Sequence, residues 1–356
     1  MDEGIRKKIM TKESKIINDL KKNTYFEEKL SKYSWFNSGG AAEIFFRPNK
    51  IEELSLFLKK VKNKDKINII GAGSNTLIRD GGVEGVTIKL SSKFSHIRLL
   101  ENNIIEAGAA TLDKKISDFA TKNSLTGFEF LSCIPGSVGG GIKMNTGCYN
   151  QEISQILVSV QVMDENGNLR EIKKEEINFS YRKSNLSDSL IILSAKFKGM
   201  LAKKEEIQKR QLDFLKKKKL SQPSRVKTCG STFKNTEDRK AWSLIKESNC
   251  QNMTVGGAKI SEKHCNFFVN NGKASSTEIE HLIKKVKRIV FNKTGIKLEL
   301  EIREIQHKQN ERKRTRNQVV ERMVDHRVDR HPSRYGDRQQ QQLPTSAAGL
   351  VRQWGW

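Results

Sequence analysis

Apolar residues recur along this chain at two spacings, and the switches between them outline its parts. Ile9, Ile16, Ile17 and Leu20 return at helical intervals within a charged stretch, so residues 1–30 are predicted to form an amphipathic helical segment. From "SWFNSGGAAEIFFRP" the texture changes to short strands and glycine turns, with one helix at "IEELSLFLKKVK". A second glycine-rich block, from "NIIEAGAATLD" to "MNTGCYNQEI", places a helix over 113–123 between a strand and a long loop. The run "LVSVQVMDENGNLREI" reads as a strand with a hairpin turn at "ENGN", and "LIILSAKFKG" as another strand. A lysine-laden helix over 204–219 marks a boundary. Beyond it, helices at "AWSLIKESN" and "STEIEHLIKKVKRIVFNKTG" alternate with strands at "NFFVN" and "KLELEIREI". After about residue 307 arginine takes over from lysine, a glutamine run appears and core-forming periodicity ends. Residues 307–356 therefore read as a disordered, arginine-rich tail. The mixture is that of an α+β chain, divided at 31–95, 96–202 and 203–306 between the two terminal segments.

Composition narrows the possibilities. The 356 residues suffice for two or three domains with real cores. A formal net charge of +25 would suit nucleic acid or an anionic membrane. The lysines are scattered, however, as in "LKKVKNKDK" and "FLKKKKL", without aromatic interleaving or a nucleic-acid-binding signature. No dedicated nucleic-acid role is expected; an anionic small substrate would profit from the same field. The five cysteines (Cys133, Cys148, Cys229, Cys250 and Cys265) form no C-x-x-C pair, so neither a disulfide framework nor a zinc or other metal site is indicated. The N-terminus "MDEGIRKKIM" lacks a signal-type apolar core, and no apolar run approaches membrane-spanning length. A soluble, cytoplasmic protein without a membrane partner is the expectation.

Candidate chemistry lies in the loops. "INIIGAGSN" feeds a strand into a glycine turn, which is how many proteins bring backbone N–H groups against a phosphate. The dinucleotide pattern G-x-G-x-x-G is incomplete here: Gly71 and Gly73 are followed by Ser74, Asn75 and Thr76, and "LIRDGGVEG" would make a poor helix. A phosphate loop fits; a Rossmann unit does not. "AGAAT" and "PGSVGGGIKMNTG" add two more small-residue loops, together more than a mononucleotide needs, although each alone is also an ordinary tight turn. Three polar segments follow. "FSYRKSN" carries Arg182, "CGSTFKN" carries Ser231, and "LELEIREI" alternates Glu299 and Glu301 with apolar residues. Taken singly, Arg182 reads as a surface ion pair, Ser231 as a cap or turn, and both glutamates as the solvated face of a strand.

Taken in order, "NSGGAAEIF", "IIGAGSNTLIRDGG", "GFEFLSCIPGSVGGGIKMNTGCY", "FSYRKS", "CGSTFKN", "VGGAKIS" and "LELEIREI" resemble the UDP-N-acetylenolpyruvoylglucosamine reductase (MurB) family, from about Phe26 to Ile305. The resemblance implies a two-subdomain FAD-binding fold of the vanillyl-alcohol-oxidase/PCMH type plus a C-terminal α+β substrate domain. The short link after "FSYRKS" looks like the second class of these enzymes, which lack an extra tyrosine-bearing loop. The implied reaction is reduction of UDP-N-acetylglucosamine enolpyruvate to UDP-N-acetylmuramate for peptidoglycan synthesis. NADPH reduces FAD, hydride passes from flavin N5 to C3, and C2 is protonated. Family motifs carry the catalytic roles onto Arg182 at the carboxylate, Glu301 as a protonated acid and Ser231 as the proton donor to C2. For FAD they imply Gly71, Ala72, Gly73, Ser74, Asn75 and Thr76 at the pyrophosphate, with Gly136, Ser137, Gly139, Gly140 and Asn145 along the ring and ribityl chain. Lys219 and Asn235 are implied as substrate contacts, although the "KKKKL" run around Lys219 reads equally as a solvated lysine face. No histidine stands in either loop where covalently flavinylated relatives place one, so the FAD is expected to be non-covalent. Thr236 departs from the family's usual proline. A monomer is favoured. The alternative is another FAD-dependent oxidoreductase of the same fold acting on an alcohol or sugar, against which "CGSTFKN" and "LELEIR" argue.

Overall fold

In the computed structural model residues 18–61 and 66–305 are described; Ile9, Ile16, Ile17 and the whole tail from 307 lie outside them. Strands β1 (Thr24–Lys29), β2 (Ala41–Phe46), β3 (Ile67–Ile69), β4 (Thr76–Ile78) and β5 (Val83–Ile88) build the first subdomain with helix α1 (Ile51–Lys60). Four of them form one sheet in the order β1-β2-β5-β3, antiparallel at β1–β2 and parallel elsewhere. Residues 24–29 are thus a strand and not the end of the N-terminal helix that the isoleucine spacing implies. "TYFEEK" alternates in exposure along its pairing with β2, and this period-two fit to a neighbouring strand overrides a weak helical preference. Phe46 and Phe57 stack at 3.9 Å between centroids, tying α1 to the sheet.

The second subdomain is a five-stranded antiparallel sheet made from β6 (Ile97–Leu100), β7 (Ile104–Gly108), β8 (Leu157–Met163), β9 (Leu169–Lys173) and β10 (Ile191–Lys198). Its strand order is β9-β8-β10-β7-β6. The expected hairpin turn joins β8 to β9: Gly167 sits at φ 78°, and the Asp164 carboxylate accepts from the backbone N–H of Asn166 and Asn168. Helices α2 (Asp113–Lys122) and α3 (Val138–Lys143) close over a core centred on Ile105, Phe128, Val160 and Phe197.

Helix α4 (Lys204–Ser221), which sequence pattern assigns to the third region, packs mainly on the second. Arg210 pairs with Glu129 at 2.9 Å, and Gln211 reaches Ser117 and Asp118 of α2. The third region proper has α5 (Ala241–Glu247), a sheet of β11 (Thr254–Val255), β12 (Ala258–Ile260) and β13 (Phe268–Asn270), and α6 (Ser276–Thr294). A capping box of Ser275 and Glu278 starts α6, and Gly295 at φ 72° ends it. Asp80 of the first subdomain also caps α6, accepting from the N–H groups of Ser276 and Thr277 at 2.9 and 2.8 Å. The expected strand at "KLELEIREI" is cut down to β14 (Arg303–Ile305), which returns to pair in parallel with β4. The third region's core accordingly includes Phe36 and Leu77 beside Phe233, Phe268 and Leu282. Among the described residues no helix is long and apolar enough to cross a membrane, and no cluster of acidic, histidine or cysteine side chains is suited to a metal.

Candidate active site

These connections leave a cavity of about 670 Å³ where the glycine loops of the first two subdomains meet the third region. The first wall is the turn between β3 and β4. Gly73 has φ +70°, and a Cβ there would stand 1.7 Å from the Tyr33 carbonyl oxygen, so only glycine fits. Its own carbonyl accepts from Trp35 N–H at 3.0 Å. Lys89 donates to the Gly71 carbonyl, and its ammonium pKa is lowered to about 8 by burial and by the neighbouring Arg47 charge. The second wall is the turn into α3, where Gly136, Ser137, Gly139 and Gly140 line the space. The two walls touch: a Cβ on Gly71 would lie 2.9 Å from Ser137 Oγ.

The other end of the cavity is assembled from distant segments. Arg182 sits at φ 57° in the tight turn between the paired segments Phe179–Ser180 and Lys183–Ser184. Its Nε donates to Glu301 Oε1 at 2.8 Å, its Nη2 donates to the Gly147 carbonyl at 2.8 Å, and its guanidinium lies 5.0 Å from the Tyr181 ring centre. Burial raises the Glu301 pKa; the Arg182 charge and hydrogen bond, and then Lys234, pull against that rise without cancelling it. Asn75 ties the first glycine loop to this acid by donating Nδ2–H to the Glu301 carbonyl at 3.0 Å. The two glutamates have different fates. Glu299 is the solvated one, 76% exposed and 3.6 Å from Lys234, whereas Glu301 faces the cavity. Ser231 lines the same cavity just after Gly230, which has φ 79°. The following residues are clamped by buried Asn266, whose side chain accepts from Phe233 N–H at 2.9 Å and donates to the Phe233 carbonyl at 2.8 Å.

Of the residues singled out by sequence, the cavity gathers Arg182, Ser231, Glu301, all six from Gly71 to Thr76, and Gly136, Ser137, Gly139 and Gly140. Three stand apart from it. Asn145 is fully buried behind the wall at φ 41°, donating to the Ser180 carbonyl at 3.2 Å and accepting from Ser154 N–H at 3.1 Å. It braces the turn that presents Arg182. Lys219 is exposed on α4, where its carbonyl accepts from Lys263 Nζ; Lys218 beside it turns inward onto the Cys133 carbonyl at 2.7 Å. Asn235 caps α5 by accepting from Ala241 N–H at 3.0 Å and reaches the Tyr181 hydroxyl at 3.3 Å. A second recess of about 510 Å³ continues past Arg182 and Glu301 and is lined by Lys143, Lys234 and Arg303. Sequence reasoning did not find Lys89 or Asn266; nothing local distinguishes them, because their roles come from what packs around them.

The cavity suits FAD on its own chemistry. It offers two glycine turns that bare their backbone to a pyrophosphate, two cations, Lys89 and Arg47, on the same wall, and a buried Ser137 hydroxyl with no partner among the described residues. The comparisons with known proteins agree with that geometry. Residues 42–173 match the FAD binding domain family, and residues 222–305 match the family described as UDP-N-acetylenolpyruvoylglucosamine reductase, C-terminal domain, which begins just beyond α4. The UDP-N-acetylenolpyruvoylglucosamine reductase of Pelagibacter ubique (strain HTCC1062) is 50% identical over 292 residues, 81% of this chain and 97% of that protein. Its namesake in Rickettsia massiliae (strain Mtu5) is 44% identical over 276 residues, 78% of this chain and 93% of its own length. The crystal structure of UDP-N-acetylenolpyruvylglucosamine reductase (MurB) from Thermus caldophilus superposes with a TM-score of 0.69 at 31% identity, covering 80% of this chain and 98% of that one. With likeness at this level spanning both matched domains and nearly the whole of each relative, this chain belongs to the UDP-N-acetylenolpyruvoylglucosamine reductase (MurB) family.

Proposed function

We propose that Arg182, Ser231 and Glu301 carry the chemistry of this FAD-dependent reductase of peptidoglycan precursor synthesis, acting on the enolpyruvyl group of UDP-N-acetylglucosamine enolpyruvate. One observation carries the assignment: Arg182 and Glu301, 119 residues apart in sequence, meet at 2.8 Å in the cavity that Ser231 also lines. The turns at 71–76 and 136–140 hold the cofactor, while Asn145 supports the turn that carries Arg182. Bound FAD supplies the hydride, with NADPH as its source.

The protein's residues manage the charge and the proton. Reduction of an enolpyruvyl double bond puts negative charge on C2 and its carboxylate. Arg182 has further N–H donors beyond the two engaged by Glu301 and Gly147, and these suit a planar carboxylate. A substrate carboxylate on Arg182 would share the cation that now draws Glu301 toward ionisation. Glu301 is then pushed further toward its acid form, able to donate a hydrogen bond as charge develops. Ser231 supplies the proton to C2. A hydroxyl is a weak acid, so its delivery depends on that charge being present in the transition state. The recess beyond Arg182, with Lys143, Lys234 and Arg303, favours the anionic remainder of the substrate. A nucleotide-sugar substrate of cell-wall synthesis is consistent with a cytoplasmic site.

The two half-reactions separate the roles. Ser231→Ala and Glu301→Gln should leave bleaching of the flavin by NADPH near wild type, while reoxidation by the enolpyruvyl substrate slows by ~10²-fold or more. Ser231→Cys should recover part of the loss. Stopped-flow absorbance at 450 nm resolves both steps on one sample. Normal reoxidation in the alanine variant, with only a weaker apparent affinity, would reduce Ser231 to a turn residue.

A further inference from the structure

Thr232 and Phe233, the residues after Ser231, belong to no regular strand, yet all four of their backbone polar groups are matched. Asn266 takes three of them: its carbonyl accepts from Thr232 N–H at 2.8 Å, its Oδ1 accepts from Phe233 N–H at 2.9 Å, and its Nδ2 donates to the Phe233 carbonyl at 2.8 Å. Glu301 takes the fourth, its N–H donating to the Thr232 carbonyl at 2.9 Å. Bridges from Ser231 to Phe267 and from Phe233 to Leu300 hold the same segment on its two sides. The dipeptide thus hangs between the turn that joins β12 to β13 and the backbone of Glu301, with Ser231 directly before it. Asn266 is itself fixed. It is buried, and an amide that meets both the N–H and the carbonyl of one residue has a single workable orientation. His264 Nδ1 accepts from its backbone N–H at 3.2 Å, and burial lowers the imidazole pKa, which keeps that nitrogen an acceptor. Phe233 is wholly buried, so water does not stand in for the amide.

We propose that Asn266 is a positioning residue for protonation at C2, its side-chain amide setting where Ser231 stands relative to Glu301. The inference rests on Ser231 and Glu301 being the groups that manage the proton and the charge. Proton delivery demands hydrogen-bond reach, and a misplacement of about 1 Å can slow such a step ~10²-fold. Little on the other side of the serine supplies that precision. Gly230 has φ 79°, and a Cβ added there would meet nothing within 4 Å among the described residues. The main-chain bond from Thr232 to Asn266 holds the segment at one point only. The two side-chain bonds to Phe233 fix its tilt, and with it the spacing between the hydroxyl at 231 and the acid at 301.

The test uses the full-length, FAD-loaded protein and stopped-flow absorbance at 450 nm. Asn266→Ala keeps the main-chain bond to Thr232 and loses both bonds to Phe233. Bleaching by NADPH should stay within about twofold of wild type, while reoxidation by saturating UDP-N-acetylglucosamine enolpyruvate slows by ~10-fold to ~10²-fold. Asn266→Asp restores the donor to Phe233 only when its carboxyl is protonated, because an ionised carboxylate accepts and cannot donate. Its reoxidation rate, divided by that of wild type at the same pH, should therefore climb toward one as pH falls from 9 to 5.5. His264 on the same turn, Lys234 on the clamped segment, and Glu299 and Glu301 beyond it are common to both proteins and drop out of the ratio. A clamp that merely held the fold together would lower melting temperature without singling out reoxidation. Near-normal reoxidation at saturation in the alanine variant, or equal slowing of both half-reactions, would overturn the proposal. If that variant does not fold, an aspartate-to-wild-type ratio that stays flat across the pH range would overturn it instead. Ser231→Ala, run alongside, separates this inference from its basis. Normal reoxidation there defeats the role of Ser231 itself, whereas slow reoxidation there beside a normal Asn266→Ala defeats the positioning role alone.

Discussion

Asp113, at the start of helix α2, is wholly buried with no hydrogen-bond partner among the described residues for either carboxyl oxygen, and this makes a prediction about stability. In the unfolded chain this group titrates near the ordinary aspartate value of 3.8; in the fold, burial raises it to about 8. A raised carboxyl favours the folded state fully below the unfolded value, and that contribution drains away as pH climbs to the folded value. Each pH unit between the two removes about 1.4 kcal/mol, so the whole interval is worth on the order of 5 kcal/mol. That is a large share of the ~5–15 kcal/mol by which a domain is usually stable. Asp113→Asn has nearly the same shape and does not titrate. Its stability relative to wild type should start near a constant offset below pH 4, rise steadily to about pH 8, and then level off. Urea unfolding of the flavin-free chains at half-unit intervals from pH 5 to 8 reads this directly. Glu28, Asp80, Glu106, Glu129, Glu171 and Asp188, held below their ordinary values chiefly by hydrogen bonds and ion pairs that outweigh their desolvation, add stability in the opposite direction as pH rises through the carboxylate range. They are common to both proteins and drop out of the difference. A gap between the two chains that stays constant within ~1 kcal/mol from pH 5 to 8 would refute the reasoning and mean that the carboxyl finds water or a partner in solution.

Two other substitutions probe how the walls are held. Gly73→Ala places a methyl against the Tyr33 carbonyl at a left-handed φ, so it should cost at least ~1–2 kcal/mol in urea unfolding and weaken FAD binding measured by flavin fluorescence; Gly81→Ala, where the added methyl meets nothing within 4 Å among the described residues, should do neither. Asn145→Ala removes the bonds to Ser180 and Ser154, and should lower the melting temperature by a few degrees while slowing substrate-dependent flavin reoxidation more than NADPH-dependent bleaching, since Arg182 sits on the loosened turn. Equal slowing of both steps would mean that Asn145 serves the flavin rather than Arg182.

Much of this protein is set locally. Strands with apolar alternation, the turn at Gly167, and helices such as α6 with its Ser275 box and Gly295 stop depend on nearest neighbours and on backbone freedom, which residue order specifies directly. The glycine turns at 71–76 and 136–140 belong to the same class, because a left-handed or closely approached backbone admits few residues. The family follows from motif order for the same reason.

What local order left open are the properties that arise only when distant segments meet. Residues 24–29 carry a weak pattern that either period could claim, and the pairing of β1 with β2 decided it. By alternation alone Glu299 and Glu301 are equivalent in "LELEIREI"; the Leu300–Phe233 bridge and the arrival of Arg182 put one in solvent and one in the cavity. The bonds of the Asn145 side chain to Ser180 and Ser154 are likewise invisible in the motif that contains it. Helix α4 carries a lysine face that looks like a boundary, yet Arg210 and Gln211 dock it on the second subdomain and leave Lys219 in water. Asp113 reads as an ordinary polar start to a helix. Only the packing of Gly136 and Gly141 over it removed its water, and burial of a charge is a property of the whole fold.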